Sequence, residues 1–258
     1  MKPSLSLAAA MGAFAVTAAV ANAAIILDNS DSVFANNTSP ITIEGFTIGD
    51  NSNRLLAVTV GTELAGAGQA FTLTFNGVPL TQTVSEVGGT GRDSYLYTLA
   101  NPDAVTADIV LTWTTVAAGR EDAQISAVSL YGDNALSVAS AQSGAADESA
   151  LFDNIDQSTD AFYYFGVNVD NGTIPLTSST AFDALSGPSK VDYNSANNLD
   201  SHTSLARGYY FASGTGIDLS IADDESFSRI AVVEAVPEPT TTALLGLGGL
   251  ALILRRRK

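Results

Sequence analysis

Residues 70–84 read Ala70-Phe71-Thr72-Leu73-Thr74-Phe75-Asn76-Gly77-Val78-Pro79-Leu80-Thr81-Gln82-Thr83-Val84. In the first arm Phe71, Leu73 and Phe75 alternate with Thr72 and Thr74, the period of two that puts apolar groups on one face of a strand and hydroxyls on the other. Asn76-Gly77 is the dipeptide that best tolerates the two positive φ values of a primed two-residue turn. A hairpin between Ala70–Phe75 and Val78–Val84 is therefore predicted. The same alternation recurs outward, at Leu56, Val58 and Val60, at Tyr95, Tyr97 and Leu99, and at Ile109, Leu111 and Trp113, each set reading as a half-buried strand. Further strands are expected at Gln124–Tyr131, Ala161–Val169, Ala206–Ala212, Ile217–Ile221 and Arg229–Glu234. Between them stand Gly88-Gly89, Asn101-Pro102, Gly132-Asp133-Asn134, Asn171-Gly172 and Gly214-Thr215-Gly216, all turn chemistry. So many short antiparallel strands bury their apolar faces best as two stacked sheets, which makes the fold class all-β and the architecture a single β-sandwich.

Composition agrees. The chain has 258 residues, only 15% of them charged, and no helical apolar stripe of useful length. Lys2 and four C-terminal cations leave six basic residues against 27 acidic ones between residues 24 and 239, a formal charge of −21 for that stretch. Such a field repels phosphate backbones and argues against nucleic acid as a partner. With no cysteine, disulfides, thiolate metal sites and a cysteine nucleophile are excluded.

The two ends differ from the body. Lys2, an apolar stretch from Leu5 to Val20, and Ala21 and Ala23 at the −3 and −1 positions of an A-x-A site form the three parts of a secretory signal peptide over residues 1–23, with cleavage expected after Ala23 by signal peptidase. Residues 235–258 contain Val236-Pro237-Glu238-Pro239, then an apolar run from Thr240 to Leu254, then Arg255, Arg256, Arg257 and Lys258. Fifteen helical residues rise about 22 Å, short of the roughly 30 Å hydrocarbon core, so this short hydrophobic helix is a marginal transmembrane span. The basic end stays cytoplasmic and leaves the body outside.

That tail resembles the PEP-CTERM sorting signal of bacterial exported proteins, carried here by Pro237, Glu238 and Pro239, the short apolar run and the terminal cations. The resemblance implies recognition by an exosortase, a membrane-embedded transpeptidase, with removal of the tail near Pro237–Pro239. It further implies transient anchoring in the inner membrane, then placement at the cell surface or in an exopolysaccharide matrix. Within residues 24–234, Asn53-Arg54-Leu55-Leu56-Ala57-Val58, Thr74–Thr81, Tyr95–Pro102, Ala127–Gly132, Ala206–Tyr210 and Ile230-Ala231-Val232 resemble a jelly-roll-like domain of bacterial secreted proteins. This implies one domain continuing through the Ser137–Ala150 stretch, which otherwise passes for a linker. No catalytic residue transfers with it.

Candidate chemistry in the body is sparse. The eight Glu residues show no diagnostic pairing, and Glu44, Glu63, Glu86 and Glu121 read as solvated carboxylates, so a polysaccharide hydrolase is the least favoured function. His202, the only histidine, sits in an Asn- and Asp-rich loop with no Gly-x-Ser-x-Gly elbow in the chain. The oxygen-rich clusters Asp28-Asn29-Ser30-Asp31, Asp50-Asn51-Ser52-Asn53, Asp153-Asn154-Ile155-Asp156 and Asp223-Asp224-Glu225 suit either Asx turns or a structural calcium ion; no catalytic cofactor is expected. Phe162-Tyr163-Tyr164-Phe165 and Tyr209-Tyr210-Phe211 offer rings to a sugar, although alternate members of each run must face inward, and Trp113 reads as core. The expectation is a non-enzymatic exported structural protein, with an extracellular carbohydrate-binding module as the alternative.

Overall fold

The computed structural model describes residues 25–35, 39–64, 71–87, 92–113, 121–146, 161–169, 177–178, 190–193, 204–212, 219–220 and 225–234. These form β1 (Ile26–Ala35), β2 (Ile41–Thr47), β3 (Leu55–Leu64), β4 (Phe71–Phe75), β5 (Val78–Pro79), β6 (Thr81–Val87), β7 (Arg92–Ala100), β8 (Thr106–Trp113), β9 (Glu121–Tyr131), β10 (Leu136–Ala146), β11 (Ala161–Val169), β12 (Thr177–Ser178), β13 (Lys190–Tyr193), β14 (Ser204–Ala212), β15 (Leu219–Ser220) and β16 (Glu225–Glu234). Every pairing is antiparallel, and the described residues contain no helix.

A central sheet runs β1-β9-β3-β7-β6, a second runs β2-β8-β4-β5, a third runs β10-β16-β11-β14-β13, and β12 pairs with β15. From β1 to β9 the chain passes back and forth between the first two sheets, with β4 and β5 consecutive in the second and β6 and β7 consecutive in the central one. Leu56, Val58, Val60, Tyr95, Tyr97, Ile125 and Ala127 of the central sheet pack on Ile41, Ile43, Phe46, Leu73, Phe75, Ile109, Leu111 and Trp113 of the second. On the other face, Leu55, Ala57, Leu96, Val128 and Leu130 meet Phe162, Tyr164, Ile230 and Val232 of the third. β3 is thus buried on both sides, where the sequence suggested two stacked sheets with one polar face per strand, because Leu55 and Ala57 are covered by a third layer.

The hairpin at Asn76-Gly77 is present, with φ of 50° and 75° at the two turn residues and Phe75 opposite Val78. Its return arm is shorter than predicted. Pairing with β4 ends at Pro79; Leu80 donates its N–H to the Leu73 carbonyl at 2.9 Å, and Thr81–Val87 crosses to the central sheet to pair with β7. Of the Ser137–Ala150 stretch, the last four residues lie outside the described residues, and the part to Ala146 belongs to an eleven-residue strand, Leu136–Ala146, along β16. Ser, Ala and Gly hide it from a propensity reading, since β-branched and aromatic groups carry that signal.

Between the central and second sheets, burial pushes the Tyr97 phenol up to about 12. Tyr95 is raised further, by burial first and then by the Asp93 carboxylate that its hydroxyl donates to at 2.8 Å. A phenol whose pKa is higher when folded loses its stabilising contribution as pH rises from the unfolded value near 10 through the folded one. Stability is therefore expected to be flat with respect to these groups below pH 10 and to fall between pH 10 and about 12. Tyrosinate absorbance followed alongside circular dichroism should show these two rings ionising only as the sheets open, and Tyr97→Phe should shallow the slope.

Candidate functional site

The body's last strand does not lie at an edge. β16 is hydrogen-bonded to β10 along Leu136↔Glu234 to Ala146↔Glu225 and to β11 along Phe162↔Val232 to Val169↔Glu225. Its final residue, Glu234, is 8% exposed although it carries a carboxylate. That group is satisfied by the turn joining β9 to β10: the Asn134 N–H donates to Oε1 at 3.3 Å and the Asn134 side-chain amide to Oε2 at 3.4 Å. Gly132 makes room, for a Cβ there would lie 2.0 Å from Glu234 Oε1. The turn is itself pinned by Asn53, whose Nδ2 donates to the carbonyls of Gly132 at 3.1 Å and Asp133 at 2.9 Å. Gly132→Ala should therefore swing the flexible Glu234 carboxylate off its Asn134 partners and cost about 1 kcal/mol, the scale of the hydrogen bonds lost, measurable as a lower urea midpoint at unchanged m-value.

This clamp was not legible as such. Gly132-Asp133-Asn134 reads as a turn, but its partner stands 100 residues away from Asn134. The only local hint is a carboxylate closing an otherwise apolar strand end, Ile230-Ala231-Val232-Val233-Glu234.

The remaining candidates divide by position. Ala21, Ala23, Pro237, Glu238, Pro239, Arg255, Arg256, Arg257, Lys258 and His202, the expected signal peptide and C-terminal helix, and the Asp153–Asp156 cluster lie outside the described residues, as do Asp223, Asp224 and the Glu225 side chain. Asp28 of the first oxygen-rich cluster is held by its neighbours, its Oδ2 accepting from the Gly49 N–H at 2.8 Å and the Ser129 hydroxyl at 3.0 Å. Asn29 and Asp31 accept from the next residue's N–H within β1, and Asp50 stands 3.9 Å from Arg54. Among the described residues no three His, Asp or Glu side chains converge as a metal would need. Glu44 is exposed and Glu86 half-buried; the Glu63 and Glu121 side chains lie outside the described set.

The aromatic run is corrected. Phe162, Tyr163, Tyr164 and Phe165 are all buried, so neither face of β11 offers rings to a sugar. Tyr164 donates its hydroxyl to the Ser126 carbonyl at 2.6 Å and lies 3.2 Å from the Thr59 hydroxyl, stitching the third sheet to the central one. The side chains of Tyr209, Tyr210 and Phe211 lie outside the described residues, and Trp113 is core, as its alternation with Leu111 suggested.

Comparison with known proteins adds one finding at this junction. A family model described as the PEP-CTERM protein-sorting motif matches residues 235–258, beginning at the residue after Glu234. No curated protein and no solved structure matches the chain. Among the described residues no helix is long and apolar enough to cross a membrane, and the apolar run of the motif lies outside them.

Proposed function

We propose that the chain is an exported structural protein of the cell surface or extracellular matrix, with a non-catalytic body, delivered and trimmed through its C-terminal sorting motif. The motif implies processing by an exosortase, hence export and a membrane-associated stage before the final placement. Signal peptidase would act first, after Ala23, and the short apolar run would then hold the precursor in the inner membrane while the body folds outside. The observation that carries the proposal is the match of the sorting motif to residues 235–258, set directly behind the last strand of an all-β body. The proposal is supported as well by the burial of the β11 aromatic run, one of the two runs that favoured a sugar-binding module.

Intact-mass analysis of the naturally exported protein tests it. The expected product begins at Ala24 and ends within Pro237–Pro239; an exported chain still ending at Lys258 overturns the trimming step.

A further inference from the structure

β1 starts at Ile26 opposite Tyr131, the last residue of β9. The next residue, Gly132, lies against the carboxylate of Glu234, the last residue of β16. The first and last strands of the body therefore open and close at the same end of the fold, on either side of the Gly132-Asp133-Asn134 turn. The proposed leader cleavage after Ala23 and the sorting triplet at Pro237 each stand three residues from the nearer of these strand ends, a reach of at most about 11 Å.

That end has a surface of its own. Asp50, Asp103 and Asp133 are exposed there, on the connections β2–β3, β7–β8 and β9–β10. Ile26 and Val78, the two exposed large apolar side chains among the described residues, belong to it as well: Ile26 opens β1, and Val78 follows the turn after Phe75, which pairs beside Asp108 near the start of β8. The other end of the central and second sheets, where β8 finishes with Thr112 and Trp113, is reached only after the full length of the strands.

We infer that the end formed by Ile26, Asp50, Val78, Asp103 and Asp133 is the docking surface for the membrane-embedded enzyme that reads the tail, with the strands standing away from the bilayer. This rests on the sorting role proposed above and adds to it an orientation and a contact surface. Three factors set it. The tail leaves from this end; β16 is hydrogen-bonded on both sides and Glu234 is clamped, so the exit point cannot drift without breaking sheet pairing. Only Ala235 and Val236 separate the clamp from Pro237, so an enzyme acting at the triplet must come against the body itself. And three exposed carboxylates repel an anionic lipid surface while suiting a protein surface that presents cations beside an apolar contact.

The absence of native cysteine permits a direct test. Asp133→Cys and Thr112→Cys place single thiols on exposed positions at the two ends. Spheroplasts expressing either variant with an epitope-tagged processing enzyme are treated with a maleimide–benzophenone reagent and irradiated, and adducts are detected through the tag. Adducts from D133C should exceed those from T112C by about tenfold, as short tethering demands, and inserting about twelve Gly/Ser residues after Glu234 should erase the difference. Equal adducts from the two positions on a membrane-held precursor would overturn the docking surface alone. Adducts of D133C with lipid instead of the enzyme would overturn the choice of a protein partner. Full-length chain in the soluble fraction, with no membrane-held precursor, would overturn the sorting role and the docking surface together.

Discussion

Tyr164→Ala is expected to lower the unfolding free energy of the body by about 3–5 kcal/mol, the range for deleting a buried aromatic ring. The residue is 1% exposed and sits in the apolar cluster shared by the central and third sheets, among Leu55, Ala57, Val128, Ile230 and Val232. Its hydroxyl also answers the Ser126 carbonyl, and the Thr59 N–H donates to it at 3.4 Å, so truncation leaves both a cavity and buried polar groups without their partner. The neighbouring layer cannot simply close the gap. Around it Gly166 already lies so near Thr59 that a Cβ there would come within 2.8 Å of the Thr59 Cβ, and the Ser94 and Ser228 hydroxyls meet at 2.8 Å. Tyr164→Phe separates the two contributions: it keeps the ring, removes the hydroxyl, and should cost about 1–3 kcal/mol. Urea unfolding of the leaderless body measures both, and a Tyr164→Ala loss below about 1 kcal/mol would show that the third sheet does not depend on this contact.

That layer marks where legibility in the sequence stopped. Alternation predicted β4, β7, β8 and the inward sets of β3 because each residue's face is a local property. Whether Leu55 and Ala57 meet water or another sheet is not local, and Ser137–Ala146 gave no strand signal because small side chains serve a sheet without announcing it. Phe162–Phe165 showed the same limit. Four consecutive aromatics imply two faces, but the sequence cannot say that both are covered. Oxygen-rich Asp28 looked like a ligand and proved to be a clamp on Gly49 and Ser129, since a carboxylate's partners are set by tertiary approach. The sorting motif was readable because its parts are contiguous, whereas the Glu234 clamp depends on a contact 100 residues away.

Reversing the charge of the terminal cations, with Arg255→Glu, Arg256→Glu, Arg257→Glu and Lys258→Glu together, is expected to abolish C-terminal trimming while leaving the body folded. In the proposed membrane-held stage the apolar run from Thr240 to Leu254, taken as a helix, would reach about 22 Å against a core of roughly 30 Å, too little to hold by hydrophobicity alone. On that proposal its retention would depend on the cost of carrying four cations across, and the positive-inside bias is a preference for Lys and Arg that acidic residues do not reproduce. Without that hold the tail should follow the body across and present the sorting triplet to the processing enzyme only in passing. The exported variant should then carry its full C-terminus by intact mass. Its urea midpoint should match that of the wild-type body, since β16 ends at Glu234 and the substitutions begin 21 residues later. A variant trimmed as completely as wild type would show that the apolar run and Pro237-Glu238-Pro239 suffice, and that the cations have no part in holding the chain for the enzyme.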